Sequence, residues 1–599
     1  MAQHTIPERK DVPVEDTWNL ELLYKTEKQW EDDIERIRKE SSKSESFRGT
    51  IGKSKENLLS AVRYITEVEK IAERVGQYAF LRHAADGSDN TNQRLKSIVT
   101  TVLTQFSASV SFIEPEILAI DTDTIESWLK GSEFDDYRIM LSKMLRAKDH
   151  VLSSEMEHLM ALQSEVGSKA QETFSALTNV DFDFKTVKTA DGEIPLSQST
   201  FGLLMQNRDQ NVRKEAYDKF YTVFESHKHT LASLYETSVK QDIFRAKIRK
   251  YDDARSMFLF PDNVPATVYD SLITSVNEAL PSLHRYYEVR REQLGLDTLN
   301  HYDVYAPMID SVKVSHTYED AVDLIEKALA PLGEEYVGVL KKGLTEDRWV
   351  DRYENKGKRS GAFSSGIYSG VPYIMMNYHE DVLRDVFTLA HEGGHSMHSY
   401  YSARNNPFPS YDYTIFEAEV ASTFNEQLLA RYLLDNSDDR EMKRFILSKQ
   451  LEDTVATLFR QTMFAEYEHR IHTLGEQGEP LTIELMRSEY RKLLDRYFGP
   501  DVALTQMSDL EGLRIPHFYR AYYVYKYATG ISAAIALSQK VLNGAQKERE
   551  DYLRFLSSGG SKYPIDSLKD AGVDMSSPEP VREALKTFDS LLDAFTSLS

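Results

Sequence analysis

Residues 387–398, with the sequence FTLAHEGGHSMH, contain the pattern H-E-x-x-H, which in a helix is typical of a zinc site. At 3.6 residues per turn, His391 and His395 lie on one face of the helix, so both imidazoles can reach one ion. Glu392 lies about 100° around the helix, where it can contact a water beside the metal without being a ligand. A catalytic zinc ion has three protein ligands, so the pattern requires a third ligand from elsewhere in the chain.

The residues around this motif predict that the helix is buried. Phe387, Leu389 and Met397 make its flanks apolar, and buried histidine and glutamate side chains need polar partners. Gly393 and Gly394 each cost about 1 kcal/mol in a helix interior. They therefore predict that a substrate or another backbone comes close to the helix at this point. The alternative, a chance pair among 16 histidines, does not explain these flanks.

A second apolar helix is expected to begin near Tyr413, and it carries candidates for the third ligand. Glu419 and Glu426 are seven residues apart, so they share a face of this helix. One of them can bind the metal while the other hydrogen-bonds a ligating histidine and fixes its tautomer. Glu417 falls on a different face. From the spacing alone, either Glu419 or Glu426 can be the ligand.

His398 is a further candidate, but the helix geometry argues against it. It lies seven residues after His391, which is about 10 Å along the helix axis. With Zn–N bonds near 2.1 Å, three imidazoles in that column cannot converge on one ion. We expect His398 to pack in the core or to orient another side chain.

Composition restricts the classes of protein to which the chain can belong. Gly 27 and Pro 18 together make 45 of 599 residues, about 7.5% against an average near 12%, which favours a mainly helical protein. The net charge of −23 argues against nucleic acid and anionic membrane surfaces as partners. Because there is no cysteine, disulfides and thiolate ligands are excluded, and a metal must be bound by His, Asp or Glu.

The sequence shows no sign of a targeting or membrane segment. Residues 1–18 are polar, without the apolar stretch of a signal peptide, and no run of about 18 apolar residues follows. We therefore expect a cytoplasmic protein. The oligomeric state does not follow from the sequence.

Hydrophobic periodicity predicts helices over most of the chain. A capping-box pattern, Thr26-x-x-Gln29, precedes the first one, and a polar break at residues 86–90 divides the second. Alternation from Val180 to Phe184 and a turn signal at Asp191-Gly192 predict a short β-hairpin that ends near Pro195. We expect three regions, namely a helical region at 1–112, a helical region with the hairpin at 113–200, and a catalytic domain at 201–599.

A segment of different character lies just before the H-E-x-x-H helix. Gly361, Ala362, Phe363 and Ser364 are followed by the β-like run VPYIMMNY at 371–378, which predicts a loop and a strand. The strand is either an ordinary core strand or an exposed edge that pairs with a substrate backbone. Its position directly before the metal helix favours the second interpretation.

Several of these motifs resemble the thimet-oligopeptidase family of zinc peptidases, and in particular its oligoendopeptidase F subfamily. The resemblance covers nearly the whole chain. Its motifs are HEGGH at 391–395, FEAEVAS at 416–422, DTWNL at 16–20, GAFS at 361–364 and PHFY at 516–519.

The resemblance implies a role for each candidate residue. The family's glutamate ligand opens an E-x-x-S-x-x-x-E segment, which Glu419, Ser422 and Glu426 match, so Glu419 is implied as the ligand and Glu426 as the partner of a histidine. One Zn²⁺ per chain would be bound, with Glu392 as general base. Related peptidases carry oxyanion donors in the tyrosine-rich segment that follows residue 515, which implies His517, Tyr522 and Tyr525 here.

The resemblance also implies a fold and a function. The fold would be mainly α, with two helical lobes enclosing a deep substrate channel and a small β element beside the zinc helix. The function would be that of a zinc-dependent endopeptidase that cleaves short unstructured peptides. Because ligand sets of nitrogen and oxygen bind several divalent ions, the sequence does not distinguish zinc from cobalt or manganese.

Two other functions stay open on the sequence alone. A metallo-carboxypeptidase on a similar scaffold would need a cation for the terminal carboxylate, for which Arg384, Arg404 and Arg514 are available. A non-catalytic peptide-binding scaffold could keep the metal. The intact Glu392 argues against the scaffold, because a structural zinc site has no use for a base and normally closes its fourth position.

Overall fold

The computed structural model describes residues 6–190, 192–309, 312 and 314–598, and these are mainly helical, with a few small sheets. The prediction of a mainly α protein is confirmed. Among the described helices, not one is long and apolar enough to cross a lipid bilayer. In chain order the helices are α1 Glu27–Lys43, α2 Lys55–Ala85, α3 Asn90–Val110, α4 Ile113–Leu118, α5 Thr122–Leu129, α6 Arg138–Arg146, α7 Ser154–Gly167, α8 Lys169–Ala176, α9 Gln198–Met205, α10 Gln210–Ser226, α11 Lys228–Ile248, α12 Ala254–Leu259, α13 Ala266–Glu278, α14 Leu280–Gln293, α15 Tyr318–Ala328, α16 Glu334–Leu344, α17 Leu383–Asn405, α18 Ile415–Asn436, α19 Arg440–Thr454, α20 Arg460–Glu476, α21 Ile483–Phe498, α22 Tyr525–Asn543, α23 Gln546–Leu556, α24 Pro564–Asp570 and α25 Glu579–Ser597.

Short strands form three small sheets in the described part of the chain. The strands are β1 Thr186–Thr189, β2 Gly192–Pro195, β3 Leu299–Asn300, β4 Val350–Asp351, β5 Phe363–Ser365, β6 Tyr373–Met375 and β7 Val502–Ala503. β1 pairs with β2, β3 pairs with β7, and the third sheet has the order β4-β6-β5.

The described residues form two compact units. The first unit takes its residues from Met1–Lys148, Lys313–Leu433 and Leu537–Val573. The second takes them from Asp149–Val312, Leu434–Ala536 and Asp574–Ser599. Each unit thus combines stretches that are distant in sequence. The expected regions 1–112, 113–200 and 201–599, and the channel implied by the resemblance, stay predictions.

In the first unit, the first helix begins where the capping pattern places it. The Thr26 hydroxyl accepts a hydrogen bond from the Gln29 backbone N–H, which satisfies one of the free N–H groups at the start of α1. Trp30, Ile34 and Ile37 then fall on one face and are buried. Farther along, the predicted break is present, because α2 ends at Ala85 and α3 begins at Asn90.

In the second unit, the predicted hairpin is present, but its first strand begins later than expected. β1 and β2 are antiparallel with Val187 opposite Ile194, whereas residues 177–181 form a turn of π-helix. Of these alternating apolar residues, Phe184 is buried and its ring stacks on that of Phe220 with centroids 4.6 Å apart, whereas Val180 is 78% exposed. Asp191, in the predicted turn, lies outside the described residues.

A three-stranded sheet in the first unit lies beside α17, as the prediction of a small β element requires. β6 is its central strand, parallel to β4 and antiparallel to β5. β5 is therefore an edge strand. The strand predicted within residues 371–378 is β6, which is buried and central, so its favoured interpretation as an exposed edge is wrong and it is an ordinary core strand. The edge strand is β5, which lies where a loop was predicted.

The two helices that carry the candidate ligands approach each other closely, also within the first unit. A Cβ atom at Gly394 of α17 would lie 2.6 Å from the Ser422 Cα of α18, so only glycine allows this approach. Next to it, the buried Asn425 side chain donates to the Ala390 carbonyl across the two helices at 3.1 Å. The backbone that Gly394 was predicted to accommodate is thus that of α18.

We expect the Gly394→Ala substitution to destabilise the protein by about 1–3 kcal/mol, because the added methyl group forces α17 and α18 apart. Urea unfolding would measure this loss. Gly338→Ala is the matched control, since Gly338 is an exposed glycine in α16 and a Cβ there meets no atom within 4 Å. That control should be neutral or slightly stabilising, because alanine favours the helix. Equal effects of the two substitutions would contradict this account of Gly394.

Candidate metal centre

Three side chains of the first unit converge on one point between α17 and α18. The ring centroids of His391 and His395 are 4.9 Å apart. The Glu419 Oε2 atom lies 3.6 Å from Nε2 of His391 and 3.8 Å from Nε2 of His395. One ligand atom of each residue lies within 4.8 Å of the others. The arrangement brings the two motif histidines and one of the two candidate glutamates together.

These distances fit a divalent metal. Four ligands arranged tetrahedrally at about 2.1 Å from zinc lie about 3.4 Å from one another. The carboxylate oxygen therefore has to move by only a few tenths of an ångström. Two imidazole nitrogens and a carboxylate oxygen are also a ligand set that zinc accepts, and with three protein ligands one position stays open.

Glu426 contacts the opposite nitrogen of the first histidine. Its Oε1 atom lies 3.0 Å from Nδ1 of His391. A proton on Nδ1 would be shared with this carboxylate, which leaves Nε2 directed at Glu419. His395 in turn donates to the backbone carbonyl of Ala418. This geometry supports Glu419 as ligand and Glu426 as an orienting partner, and both roles stay predictions.

The pKa values in the centre reflect burial and three neighbouring carboxylates. Burial lowers the pKa of His391, but the hydrogen bond that it donates to Glu426 and the charges of Glu426, Glu392 and Glu419 outweigh burial and raise the pKa to about 9. Burial holds the pKa of His395 well below its usual value, and the His391 charge adds to this. One imidazole is therefore protonated and the other neutral when no metal is bound.

Glu392 is the buried acid of the centre. Burial raises its pKa to about 7, against the opposing charge of His391, and the Glu419 charge raises it further. The Ser364 backbone N–H donates to the Glu392 carboxylate and has the opposite effect. A carboxyl whose pKa lies near neutrality can both accept and return a proton.

His398 and Glu417 lie outside this centre, as the spacing predicted. His398 is buried, and its ring stacks on that of Tyr413 with centroids 3.6 Å apart and an 8° angle between the planes. Burial lowers the pKa of His398 to about 3, so it is a neutral packing residue. Glu417 is 1% exposed, on a different face of α18 from Glu419.

The predicted oxyanion donors belong to the second unit. His517 is half-buried in a short 3-10 helix, with its ring centroid 6.2 Å from that of Tyr523. Tyr522 is buried, and its hydroxyl lies 3.3 Å from Nδ1 of His469. Tyr525 is also buried. Their predicted roles are not tested by these contacts and stay predictions.

The predicted peptide-binding segment leads into β5. Gly361 is exposed with a φ of 82°, a value that favours glycine, and Ala362 is half-buried. Phe363 and Ser364 are the first two residues of β5. The Ser364 hydroxyl lies 2.8 Å from that of Ser396 on α17.

Sequence reasoning missed two polar residues that hold this region together, Ser396 and Asn425. Both are fully buried. A signal was present for each, since Ser396 follows Glu392 by one helical turn, and Asn425 is spaced four residues from the apolar Ala421 and Leu429 on either side. Their partners, however, come from other parts of the chain and cannot be read from spacing.

Family comparison matches most of the chain. The sequence profile of Peptidase family M3 matches residues 203–587, and that of Oligopeptidase F matches residues 116–184. The chain is 42% identical to an oligoendopeptidase F homolog of Borreliella burgdorferi, covering 98% of each chain. It is also 42% identical to oligopeptidase PepF of Bacillus subtilis, covering 99% of this chain and 88% of that one.

Solved structures agree with these relatives. A chain from Chlamydophila abortus that is described as a peptidase superposes with a TM-score of 0.93 at 35% identity, covering 99% of this chain and 100% of that one. Oligoendopeptidase-F from Enterococcus faecium superposes with a TM-score of 0.75 at 33% identity, covering 96% and 99%.

We expect metal binding to release protons, because His391 must lose its proton before Nε2 can bind. With a pKa near 9, His391 is mostly protonated at pH 8, so about one proton per zinc should leave, and the apparent affinity should fall as the pH decreases from 9. Calorimetry of the metal-free protein in two buffers of different ionisation enthalpy would count the protons.

Glu426→Gln is the informative variant in this experiment. It removes the carboxylate that raises the His391 pKa, so proton release at pH 8 should decrease. It should also weaken zinc binding by about 10–100-fold, because the histidine loses its orienting partner. Zinc binding without proton release in the parent, or unchanged release in the variant, would contradict this description of the centre.

Proposed function

The chain belongs to peptidase family M3, in its oligoendopeptidase F group, and is a metal-dependent oligopeptidase; from this membership we propose that it is a zinc endopeptidase with Glu392 as its general base. The resemblance inferred from the motifs is confirmed at the level of the family. One observation carries the proposal for the site, namely that Glu419 Oε2 faces Nε2 of both His391 and His395.

The proposed ligands are His391, His395 and Glu419, with one Zn²⁺ per chain. Zinc, when bound, supplies a Lewis acid that acidifies a water and polarises the scissile carbonyl. The carboxylate-rich surroundings support a cation here, since the three glutamates Glu392, Glu419 and Glu426 lie around two imidazoles in a partly buried site. Buried charge of this kind is stable only when it is paired.

Glu392 is proposed to move the protons of the reaction. As its carboxylate it accepts a proton from the attacking water, and as the acid it returns that proton to the leaving amine nitrogen. Its burial supports the role, because a desolvated carboxylate is more basic than an exposed one. His517, Tyr522 and Tyr525 are proposed to donate hydrogen bonds to the oxyanion, which forms as the carbonyl is attacked.

Peptides are proposed to bind along the segment Gly361, Ala362, Phe363 and Ser364, by pairing with the edge strand β5 that this segment enters. Pairing of this kind uses main-chain hydrogen bonds and requires an extended partner. Most of the backbone of a folded protein is already hydrogen-bonded internally, whereas that of a short unstructured peptide is free to pair. This supports oligopeptides as the substrate class.

The test is the cleavage of short, end-blocked peptides, read by mass spectrometry. We expect internal cuts that disappear with a chelator and return with Zn²⁺. Blocked peptides separate this proposal from a carboxypeptidase, because a carboxypeptidase requires a free C-terminus. If only peptides with a free C-terminus were trimmed, the protein would be a carboxypeptidase and not an endopeptidase. If the zinc-loaded protein cut neither blocked nor free peptides, it would be a non-catalytic scaffold.

Glu392→Gln tests the general base in the same assay. We expect kcat to fall by about 10²–10⁴-fold, because the amide cannot accept the proton of water, while zinc stays bound. Glu334→Gln in α16 is the control, since Glu334 is exposed and its substitution should leave cleavage unchanged. Full activity of the Glu392→Gln protein would refute the assignment of the base.

A further inference from the structure

Strand β5 is held by a helix on each of its two faces. On one face, the Ser365 hydroxyl donates to Oε1 of Gln77 in α2 at 3.1 Å, and the Phe363 ring lies 5.2 Å from that of Phe80 in the same helix. Successive side chains of a strand alternate between faces, so Ser364 points to the opposite side, toward α17. The strand is thereby fixed between α2 and α17 while its edge is left for pairing.

Two serines of α17 lie under β5 and the residue that follows it. Ser396 and Ser399 follow Glu392 by four and seven residues, so the three lie on one face. Ser396 is fully buried, and its hydroxyl lies 2.8 Å from that of Ser364. A Cβ atom at Gly366 would lie 2.6 Å from Ser399 Oγ, so the strand leaves no room for larger groups.

The register shows where the main-chain groups of Ser364 point. Ser364 lies opposite Ile374 of β6, whose N–H donates to the Trp349 carbonyl beside β4 at 2.8 Å. The main-chain groups of Ile374 therefore face β4, and the pair with Ser364 is of the kind that exchanges no hydrogen bonds. The N–H and C=O of Ser364 are consequently directed away from β6, to the free edge of the sheet.

Ser364 thus joins two functions in one residue. Its hydroxyl is tied to Ser396, and its main chain faces the side from which a peptide can pair. Its N–H also donates to the Glu392 carboxylate, so the free edge of β5 lies next to the proposed base. Among the described residues, the Ser396 hydroxyl has Ser364 as its hydrogen-bond partner.

We propose that Ser396 is a positioning residue of the proposed peptidase. Its hydroxyl, acting through Ser364, fixes the height of β5 above α17 and so aligns the outward main-chain groups of Ser364 with the backbone of a bound peptide. The N–H of one peptide residue then donates to the Ser364 carbonyl, beside Glu392, which the Ser364 N–H already contacts. This inference rests on the proposed function and adds to it a residue that touches neither metal nor peptide.

The experiment compares a cleavable end-blocked peptide with analogues that carry an N-methyl group at one position each, outside the scissile bond. N-methylation removes the peptide N–H that would donate to the Ser364 carbonyl. In the parent protein, we expect one position at which kcat/KM falls by about 10-fold. That position marks the residue that pairs with Ser364.

The Ser396→Ala variant is then measured with the same peptides. We expect kcat/KM for the unmodified peptide to fall by about 10-fold, because the strand is no longer held in place. The loss of kcat/KM caused by N-methylation at the sensitive position (the N-methyl penalty) should shrink to about 2–3-fold. The hydrogen bond to the Ser364 carbonyl that N-methylation removes is already weakened in this variant. Ser364→Ala should behave in the same way, and the double variant should be no worse than either single one.

Ser402→Ala is the matched control. Ser402 is a buried serine on the same helix, and its hydroxyl donates to the Tyr411 carbonyl instead of to β5. The Ser402→Ala protein should keep the parent's full N-methyl penalty and the parent's zinc affinity. If Ser396→Ala does not fold, the half-buried Ser364→Ala carries the test alone.

The outcomes separate this inference from the function on which it rests. An unchanged N-methyl penalty in Ser396→Ala, or no sensitive position in a parent protein that cleaves with zinc and needs Glu392, would overturn the inference and leave the proposed function intact. A parent that cleaves no peptide would overturn both.

Discussion

The close approach of α17 to α18 at Gly394 is the constraint on which the candidate centre depends. The site takes two ligands from one helix and the third from the other, so the separation of the helices sets the ligand distances. A residue with a side chain at position 394 would clash with the backbone of α18. Asn425 adds a buried hydrogen bond across the same contact. Gly394 therefore lowers the local stability of α17, but it allows the helix separation that sets the ligand distances.

The second constraint is electrostatic. Three carboxylates and two imidazoles lie together in a partly buried site, and Glu426 and Glu419 contact different nitrogens of His391. Without a cation, the charges are only partly compensated by one protonated imidazole. A divalent ion would complete the compensation and displace that proton. The same burial that makes a metal favourable keeps Glu392 basic enough to serve as a proton acceptor.

Sequence reasoning succeeded where the relevant geometry is local. The spacing of His391 and His395 predicts their shared face because an α-helix fixes it. The choice between Glu419 and Glu426 was open, because it depends on how α18 is rotated against α17, which no spacing within α18 contains. The resemblance to a family implied Glu419 as the ligand, and the observed distances also favour Glu419.

Other features could not be predicted, for related reasons. The pairing of Ser364 with Ser396 joins a strand to a helix 32 residues away, so it depends on tertiary packing. The hairpin began later than expected because alternating apolar residues near Phe184 pack against α10 without forming a strand. The edge position of β5 required the strand order, which periodicity does not give.

Locating the zinc ion itself tests the proposal that His391, His395 and Glu419 hold one ion beside Glu392. Anomalous diffraction at the zinc absorption edge, from crystals of the zinc-loaded protein, would test it most directly. We expect a single strong peak within about 2.3 Å of Nε2 of both histidines and of a Glu419 oxygen, with Glu426 hydrogen-bonded to His391 Nδ1. A peak bonded to Glu426 in place of Glu419, or no peak between α17 and α18, would contradict it.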